Sequence, residues 1–481
     1  MGTDYIHGVE TVKVSDGIRT IQEVRTAVIG LVGTAPVHKV DPAVRPAINV
    51  PVLVNSEQKA AAFGSELPGY TLPESLDAVF DFGYGTVIAI NVFDVEKHRT
   101  DVEEAEINIG AEGKIVTGKE YVGKVVVKKA TDGTLRELTT DYTVNLVTGE
   151  ITIINADDIA AGKVLLSYDY ADVTKVTAAD IIGEVDAVTG KKTGLKALKD
   201  VEGLFGFEPK IIIAPGYSSD AAVRAEMETI VDTLRAYGYV DSEVGQTLED
   251  ALSARTTPGG AFNTSKQRLF LCWPRVVVYD KETDGEKISF YSARIAGARA
   301  KKDREKGYWW SISNTDLTGV LKPEIPVSWS KRDPNCDAQL ANAAGICTII
   351  NRNGLKIWGP RNASFPNDKG IESFESCFRV GDLIEDSIEE AALERVDAPI
   401  DRGFIDEQIE SINAFLRKRT GTGNPLAGGE CWFEPDLNDS TNLAGGNIVI
   451  DYDMAPYPPA ERITYRRRVN IGYLQNLAGG N

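Results

Sequence analysis

The chain has 481 residues, of which 42% are hydrophobic and 26% charged, with a formal net charge of −19. That length is too great for one core and predicts two to four domains. The negative charge disfavours binding to nucleic acid or anionic lipid; no window of about 18 apolar residues exists to span a bilayer, and the first residues lack a basic, apolar leader.

Residues 1–25 read as a polar arm interrupted at Gly8 and Asp16-Gly17, with a short amphipathic piece in which Ile18 and Val24 flank Ile21. The apolar run 26–34 ends at Ala35-Pro36 and predicts a strand buried on both faces. A short strand at 52–54, a helix capped by Ser56, a helix from Leu72 to Gly83 and a buried strand at 87–92 follow, an alternation that indicates an α/β layer. From 100 to 176 the texture changes. Strands at 124–128, 142–146, 150–154 and 164–168, separated by Asp132-Gly133 and Thr148-Gly149, predict a small inserted β-sandwich.

The α/β pattern resumes at 177. A buried strand at 210–214 is broken by Pro215-Gly216, and Ser218, Ser219 and Asp220 are N-cap candidates for a helix. On that helix Val223, Met227, Ile230, Leu234 and Tyr237 recur at steps of three and four. A strand at 275–279, a helix at 292–302 and a hairpin turning at Asn353-Gly354 complete the block. Two long helices are expected near 372–396 and 405–417, the second with Ile405, Ile409, Ile412 and Phe415 inward and ending in Arg417-Lys418-Arg419. Near the end, Ile448, Ile450, Tyr452 and Met454 alternate with polar residues, Pro456, Pro458 and Pro459 stop the strand, and Ile463, Tyr465, Arg467, Val469 and Ile471 alternate with Arg462, Thr464, Arg466, Arg468 and Asn470. That last two-faced strand needs a sheet, and an edge strand on a proline hinge is an aggregation hazard unless something pairs with it. The partner is either a second copy of the chain or, less unusually, a strand of the same domain.

Little in the sequence points to chemistry. Tyr217-Ser218-Ser219 after a strand resembles a nucleophile elbow, but Asp220 stands where a glycine is required, and His7, His38 and His98 all lie upstream. The five cysteines show no CxxC spacing and have no histidine nearby, which gives no zinc pattern and no disulfide framework. No metal, cofactor or catalytic residue is expected. Trp309-Trp310 and Arg466-Arg467-Arg468 could grip a nucleic acid, but against a background of −19 packing and a protein contact are the better readings.

Gly8-Val9-Glu10 through Asp16-Gly17, the 26–36 run, Pro209 to Gly216, Ile349 to Leu355 with Trp358-Gly359, and Ile448 to Tyr452 with Pro458-Pro459 and the arginine-rich strand occur in an order and spacing that resembles the contractile phage tail sheath family, the P2-like kind with an inserted domain. The resemblance implies a multidomain, mixed α/β structural polymer rather than an enzyme: an arm (1–25), a tube-proximal core domain (26–99 with 361–459), the inserted β-sandwich (100–176), an α/β domain (177–360) and a C-terminal arm strand (460–481). It implies a helical homo-polymer of stacked rings in which Ile18, Ile21, Val24, Ile463, Tyr465, Arg467, Val469 and Ile471 belong to arm strands exchanged between subunits. Arg417, Lys418 and Arg419 are the implied contacts to an acidic tail tube, although basic residues at a helix C-terminus also suit the helix dipole without a partner. Further implied partners are baseplate and tail terminator proteins, with assembly in the host cytoplasm and residence in the virion tail. The sheath of an R-type bacteriocin fits the same residues, and an α/β hydrolase or carbohydrate-binding protein is the reading from another class.

Overall fold

The computed structural model describes residues 21–474 apart from Tyr84 and Glu282; Ile18 and the rest of 1–20 lie outside the described residues. In chain order the first strands are Val28–Gly33 (β1), Val52–Val54 (β2) and Thr86–Asn91 (β3). Six more follow in the insertion: Arg99–Asn108 (β4), Lys114–Val116 (β5), Val122–Lys129 (β6), Tyr142–Asn145 (β7), Glu150–Ile153 (β8) and Lys163–Ala171 (β9). The main body resumes with Ile211–Ile213 (β10), Tyr237–Asp241 (β11), Leu269–Cys272 (β12), Val276–Asp280 (β13), Gly285–Ser289 (β14), Thr315–Asp316 (β15), Lys322–Pro323 (β16), Ile346–Asn351 (β17) and Leu355–Trp358 (β18). Leu426–Phe433 (β19) and Ile450–Pro456 (β20) come last. The helices used below are Leu72–Phe80 (α1), Ala221–Thr233 (α2), Tyr291–Lys306 (α3), Glu375–Leu393 (α4) and Arg402–Arg419 (α5).

A nine-stranded sheet in the order β15-β18-β17-β12-β11-β10-β1-β3-β2 forms the centre. From β17 to β3 its neighbours are parallel, with antiparallel strands only at the two edges. Parallel strands covered on both faces read as continuous apolar runs, and β1, Val-Ile-Gly-Leu-Val-Gly, is buried along its whole length. Ile29 and Leu31 enter one core with α1 and α3; Val28 and Val32 enter the other with α2. The sheet ties 26–99, expected to group with 361–459, to a further segment as well. Strand β1 pairs with both β3 and β10, so 26–99 is hydrogen-bonded into the 177–360 block. The pairing is non-local, and nothing in either segment alone records it.

Two local readings are refined by the structure. Tyr237 lies on β11 rather than on the preceding helix, because α2 ends at Thr233 and Arg235 takes a left-handed φ of 44°. Asp220 caps α2, accepting from the Ala222 and Val223 amides, while Ser218 is buried and accepts the Asp241 amide at 3.0 Å. The strand expected at 275–279 belongs to a separate sheet, β14-β13-β16.

The insertion forms two three-stranded sheets, β4-β9-β6 and β5-β8-β7, around a core that includes Ile115, Val127, Ile151 and Leu166. Tyr121 fastens it to the body by donating to the His38 carbonyl at 2.5 Å, beside a Lys39–Glu120 ion pair.

Helix α3 joins the layers. Its middle lies so close to α1 that a Cβ on Gly297 would sit 2.7 Å from the Phe82 ring and 2.9 Å from the Val79 carbonyl oxygen. Its end carries a buried quartet shared with α4: Arg299 pairs with Asp303 at 2.5 Å and Glu375 at 3.2 Å, and Arg379 pairs with Asp303 at 2.6 Å. Farther along α4 the contact with the sheet is also ionic. Arg268 holds Asp382 in a bidentate pair at 2.5 and 2.8 Å, and Arg235 reaches Asp386 and Glu389.

Burial pushes the Asp382 carboxyl up to about 6; the pull of Arg268 does not offset it, and Glu385 and Asp386 add to the rise. The folded chain therefore takes up this proton before the unfolded chain does, whose aspartates titrate near 3.9. The contribution is fully present below the unfolded pKa and is lost as pH rises through about 6, a change of at most about 3 kcal/mol. Urea unfolding of wild type and Asp382→Asn between pH 4 and 7.5 should show a difference that varies with pH over this window. Parallel profiles would refute the assignment.

Candidate functional site

The place to look for chemistry in an open α/β sheet is the crevice beyond the carboxyl ends of its strands, where the strand order reverses. Here that point lies between β1 and β10, and side chains close it. After β1, the Thr34 and Thr71 amides and hydroxyls bond each other at 3.2 and 3.1 Å, and the Ala35 amide donates to Asn91 Oδ1 at 2.8 Å. After β10 and β11, the fully buried Asp241 carboxylate accepts the Ser292 amide at 2.7 Å and its hydroxyl at 2.5 Å, capping α3, and the Ser218 hydroxyl is engaged by the Asp241 amide. The elbow-like serine is thus a fastening between layers.

The exposed features that need explaining lie at the two ends of the described chain. At the first, residues 21–26 are laid against α4 and α5. Ile21, 6% exposed, enters a cluster with Leu383, Ile384, Ile412 and Phe415, against which Val24 also packs. Glu23 accepts from Tyr308 Oη at 3.1 Å and pairs with Arg419 at 2.7 Å, and Arg379 donates to the Thr26 carbonyl at 3.0 Å. This fixes where the chain leaves the body. It also places the three basic residues expected to face outward: Arg419 is tied to Glu23 and lies over the Phe415 ring, Arg417 pairs with Glu410, and Lys418 is exposed.

At the other end, β19 and β20 form a two-stranded antiparallel sheet on α5. Asn413 of α5 caps the outer edge of β19, its amide nitrogen donating to the Cys431 carbonyl at 2.8 Å and its oxygen accepting the Cys431 amide at 2.9 Å. In an antiparallel ladder, directly opposed residues either bond each other or both face away. Cys431 opposes Tyr452, so Tyr452 turns its N–H and C=O outward along the far edge of β20. Ile450, Tyr452 and Met454 pack against the same cluster as Ile21, and by alternation Asp451 and Asp453 face the other side with Glu430 and Trp432.

Beyond β20 the chain leaves over Arg361. That guanidinium lies 3.6 Å from the Phe374 ring centroid and grips the Glu461 carboxylate at 2.6 and 3.1 Å. From 462 to 470 the chain forms no strand, and a single 3-10 turn spans Ile471–Leu474. Ile463, Tyr465, Val469 and Ile471 are exposed, Tyr465 to 89%, and Arg467 is exposed with them. The strand expected here has no partner in its own chain among the described residues. Sequence reading missed the roles of two asparagines: Asn413 blocks the outer edge of β19, and Asn438 ties the Glu434 carbonyl to the Val449 backbone at 2.8 Å.

A family model described as the phage tail sheath protein central domain matches residues 190–363. The tail sheath protein of Burkholderia phage BcepMu is 42% identical over 487 residues, covering 100% of both chains. That of Escherichia phage P2 is 29% identical over 477 residues, covering 99% of this chain and 98% of its own. Among solved structures, the sheath complex of the extracellular contractile injection system PVC in its contracted state superposes with a TM-score of 0.58 at 13% identity, covering 98% of this chain and 100% of its own. The helical sheath of the anti-feeding prophage in its contracted state gives 0.58 at 16%, covering 97% and 100%. The fold is shared with these sheaths, and on its identity to the BcepMu protein over the full length of both, the chain belongs to the phage tail sheath protein family.

Proposed function

We propose that this chain is the structural subunit of a contractile tail sheath, polymerising around an inner tube by strand exchange and contracting to drive that tube through a cell envelope. One observation carries the assembly step: among the described residues, the exposed, two-faced segment at 463–471 has no partner and one edge of β20 is unpaired. A strand donated by one copy to that edge of the next satisfies both. The N-terminal arm, leaving at Ile21 beside the same sheet, is the second exchanged segment, and Val24 lies at its root.

The relatives are named tail sheath proteins, and the closed crevice around Asp241 and Ser218 supports a subunit that works by packing rather than by catalysis. The free energy of contraction is then stored in the extended lattice, where small gains per copy add over many copies. The tube is met through Lys418 and the half-engaged Arg417. Baseplate and terminator proteins hold the ends, and the polymer, assembled in the host cytoplasm, resides in the virion tail.

Negative-stain electron microscopy of the full chain beside a version ending at Ala460 tests this. The full chain is expected to form tubes or stacked rings, and the shortened one to remain a folded, unassembled subunit. Identical monodisperse particles from both would overturn the reading.

A further inference from the structure

The charge of this chain is unevenly distributed. Between 371 and 456 there are nineteen Asp and Glu against six Arg and Lys, whereas 457–481 holds four Arg and one Glu. A basic strand thus emerges from an acidic unit, and the open edge of that unit is lined on its outward face by Asp451 and Asp453. Resting on the strand-exchange reading, we infer that Asp451 and Asp453 select the register of the incoming strand from a second copy by pairing with its Arg466 and Arg468.

The two sides match in parity. On β20, Ile450, Tyr452 and Met454 face the apolar cluster, and Asp451 and Asp453 face away. On the segment, Ile463, Tyr465, Arg467, Val469 and Ile471 share one face, and Arg462, Arg466 and Arg468 the other. Docked with its mainly apolar face continuing that of β20, the strand brings Arg466 and Arg468 to the carboxylate side and sends Arg467 to the opposite one. The spacing also matches, since both pairs are two residues apart and thus separated by about 7 Å. A slip of one residue would turn Arg462, Arg466 and Arg468 toward the apolar cluster in place of Arg467 alone, and four apolar side chains away from it. A slip of two would set one carboxylate against Thr464 or Asn470. For a given strand direction, one register satisfies both carboxylates with Arg466 and Arg468.

The carboxylates have capacity to spare. Asp451 carries no ion pair among the described residues, and Asp453 accepts one backbone bond, from the Glu430 amide at 3.0 Å. Trp432, opposite Asp451 and 39% exposed, adds an indole face within reach of a guanidinium. The occupant is a second copy's arm, because its charge, alternation and length fit and because the same chain's 462–470 forms no strand on its own β20.

The test is a charge exchange in the full chain. Asp451→Arg with Asp453→Arg, and separately Arg466→Asp with Arg468→Asp, should each raise the concentration needed for tube formation roughly tenfold or more. All four substitutions together should restore it. Far-UV circular dichroism and thermal unfolding serve as the folding control, since all four sites lie on an outward face or an exposed segment. Assembly untouched by either double variant, or a quadruple variant that assembles no better than the doubles, would overturn the charge pairing. The strand-exchange reading itself falls only if the chain ending at Ala460 still assembles.

Discussion

Asp303→Ala is expected to cost the subunit about 3–5 kcal/mol of folding stability, read as a lowered urea midpoint. Asp303 holds both cations of the buried quartet more closely than Glu375 does, Arg299 at 2.5 Å and Arg379 at 2.6 Å against 3.2 and 3.6 Å. Burial would raise its pKa, but the two guanidiniums overcome that and hold its carboxyl below the usual range. Removing it leaves two desolvated cations with only Glu375 to answer them, and an uncompensated buried charge costs far more than a surface pair. Arg402→Ala is the control: its partner Asp406 lies one turn away on the exposed face of α5, and loss of such a pair should change stability by about 0.5 kcal/mol or less. Similar midpoint shifts in the two variants would show that the quartet is not desolvated as described.

The second large effect is expected at the other contact of α3. Gly297→Val should cost about 3 kcal/mol, because the new Cβ would meet the Val79 carbonyl oxygen at 2.9 Å and its Cα at 3.0 Å, and backbone cannot rotate aside. Gly297→Ala should lie between wild type and Val. A neutral Val variant in thermal unfolding would mean that α1 and α3 can separate freely. Both substitutions strike one helix, since α3 packs on the sheet with α1 at its middle and shares charges with α4 at its end.

How much of this was legible in advance follows from the range of each interaction. The buried strands β1, β3 and β10 were readable because parallel strands covered on both faces are written as unbroken apolar runs. The β17-β18 hairpin was readable from Asn353-Gly354. Strand β4 was not, because Arg-Thr-Asp-Val-Glu-Glu-Ala-Glu-Ile-Asn keeps few of its side chains inward and a register shift between Val102 and Ala105 breaks the alternation. The pairing of β1 with β10 was not readable, because the two strands lie more than a hundred residues apart and no local pattern records it. Among the cap candidates Ser218, Ser219 and Asp220 the sequence could not choose, because capping competes among neighbours; Asp220 occupies the position from which two amides are reached. Of the candidate site, the alternation of 463–471 was visible in the sequence. The β20 edge proposed to accept it depends on Asn413 blocking the opposite side of the same small sheet, a fact of tertiary structure.

The grip of Arg361 on Glu461 also sets the pivot of the proposed exchanged segment. With the clamp closed, the free leash between Glu461 and Ile463 is two residues, roughly 7 Å fully extended. With it open, the pivot moves back to Tyr457, whose amide donates to the Pro425 carbonyl at 3.0 Å, and the six residues from there to Ile463 reach at most roughly 21 Å. Opening this one ion pair, in which 13% of the Arg361 side chain and 37% of the Glu461 side chain are exposed, would let the segment swing about the root of β20 while the strands of the proposed shared sheet stay paired.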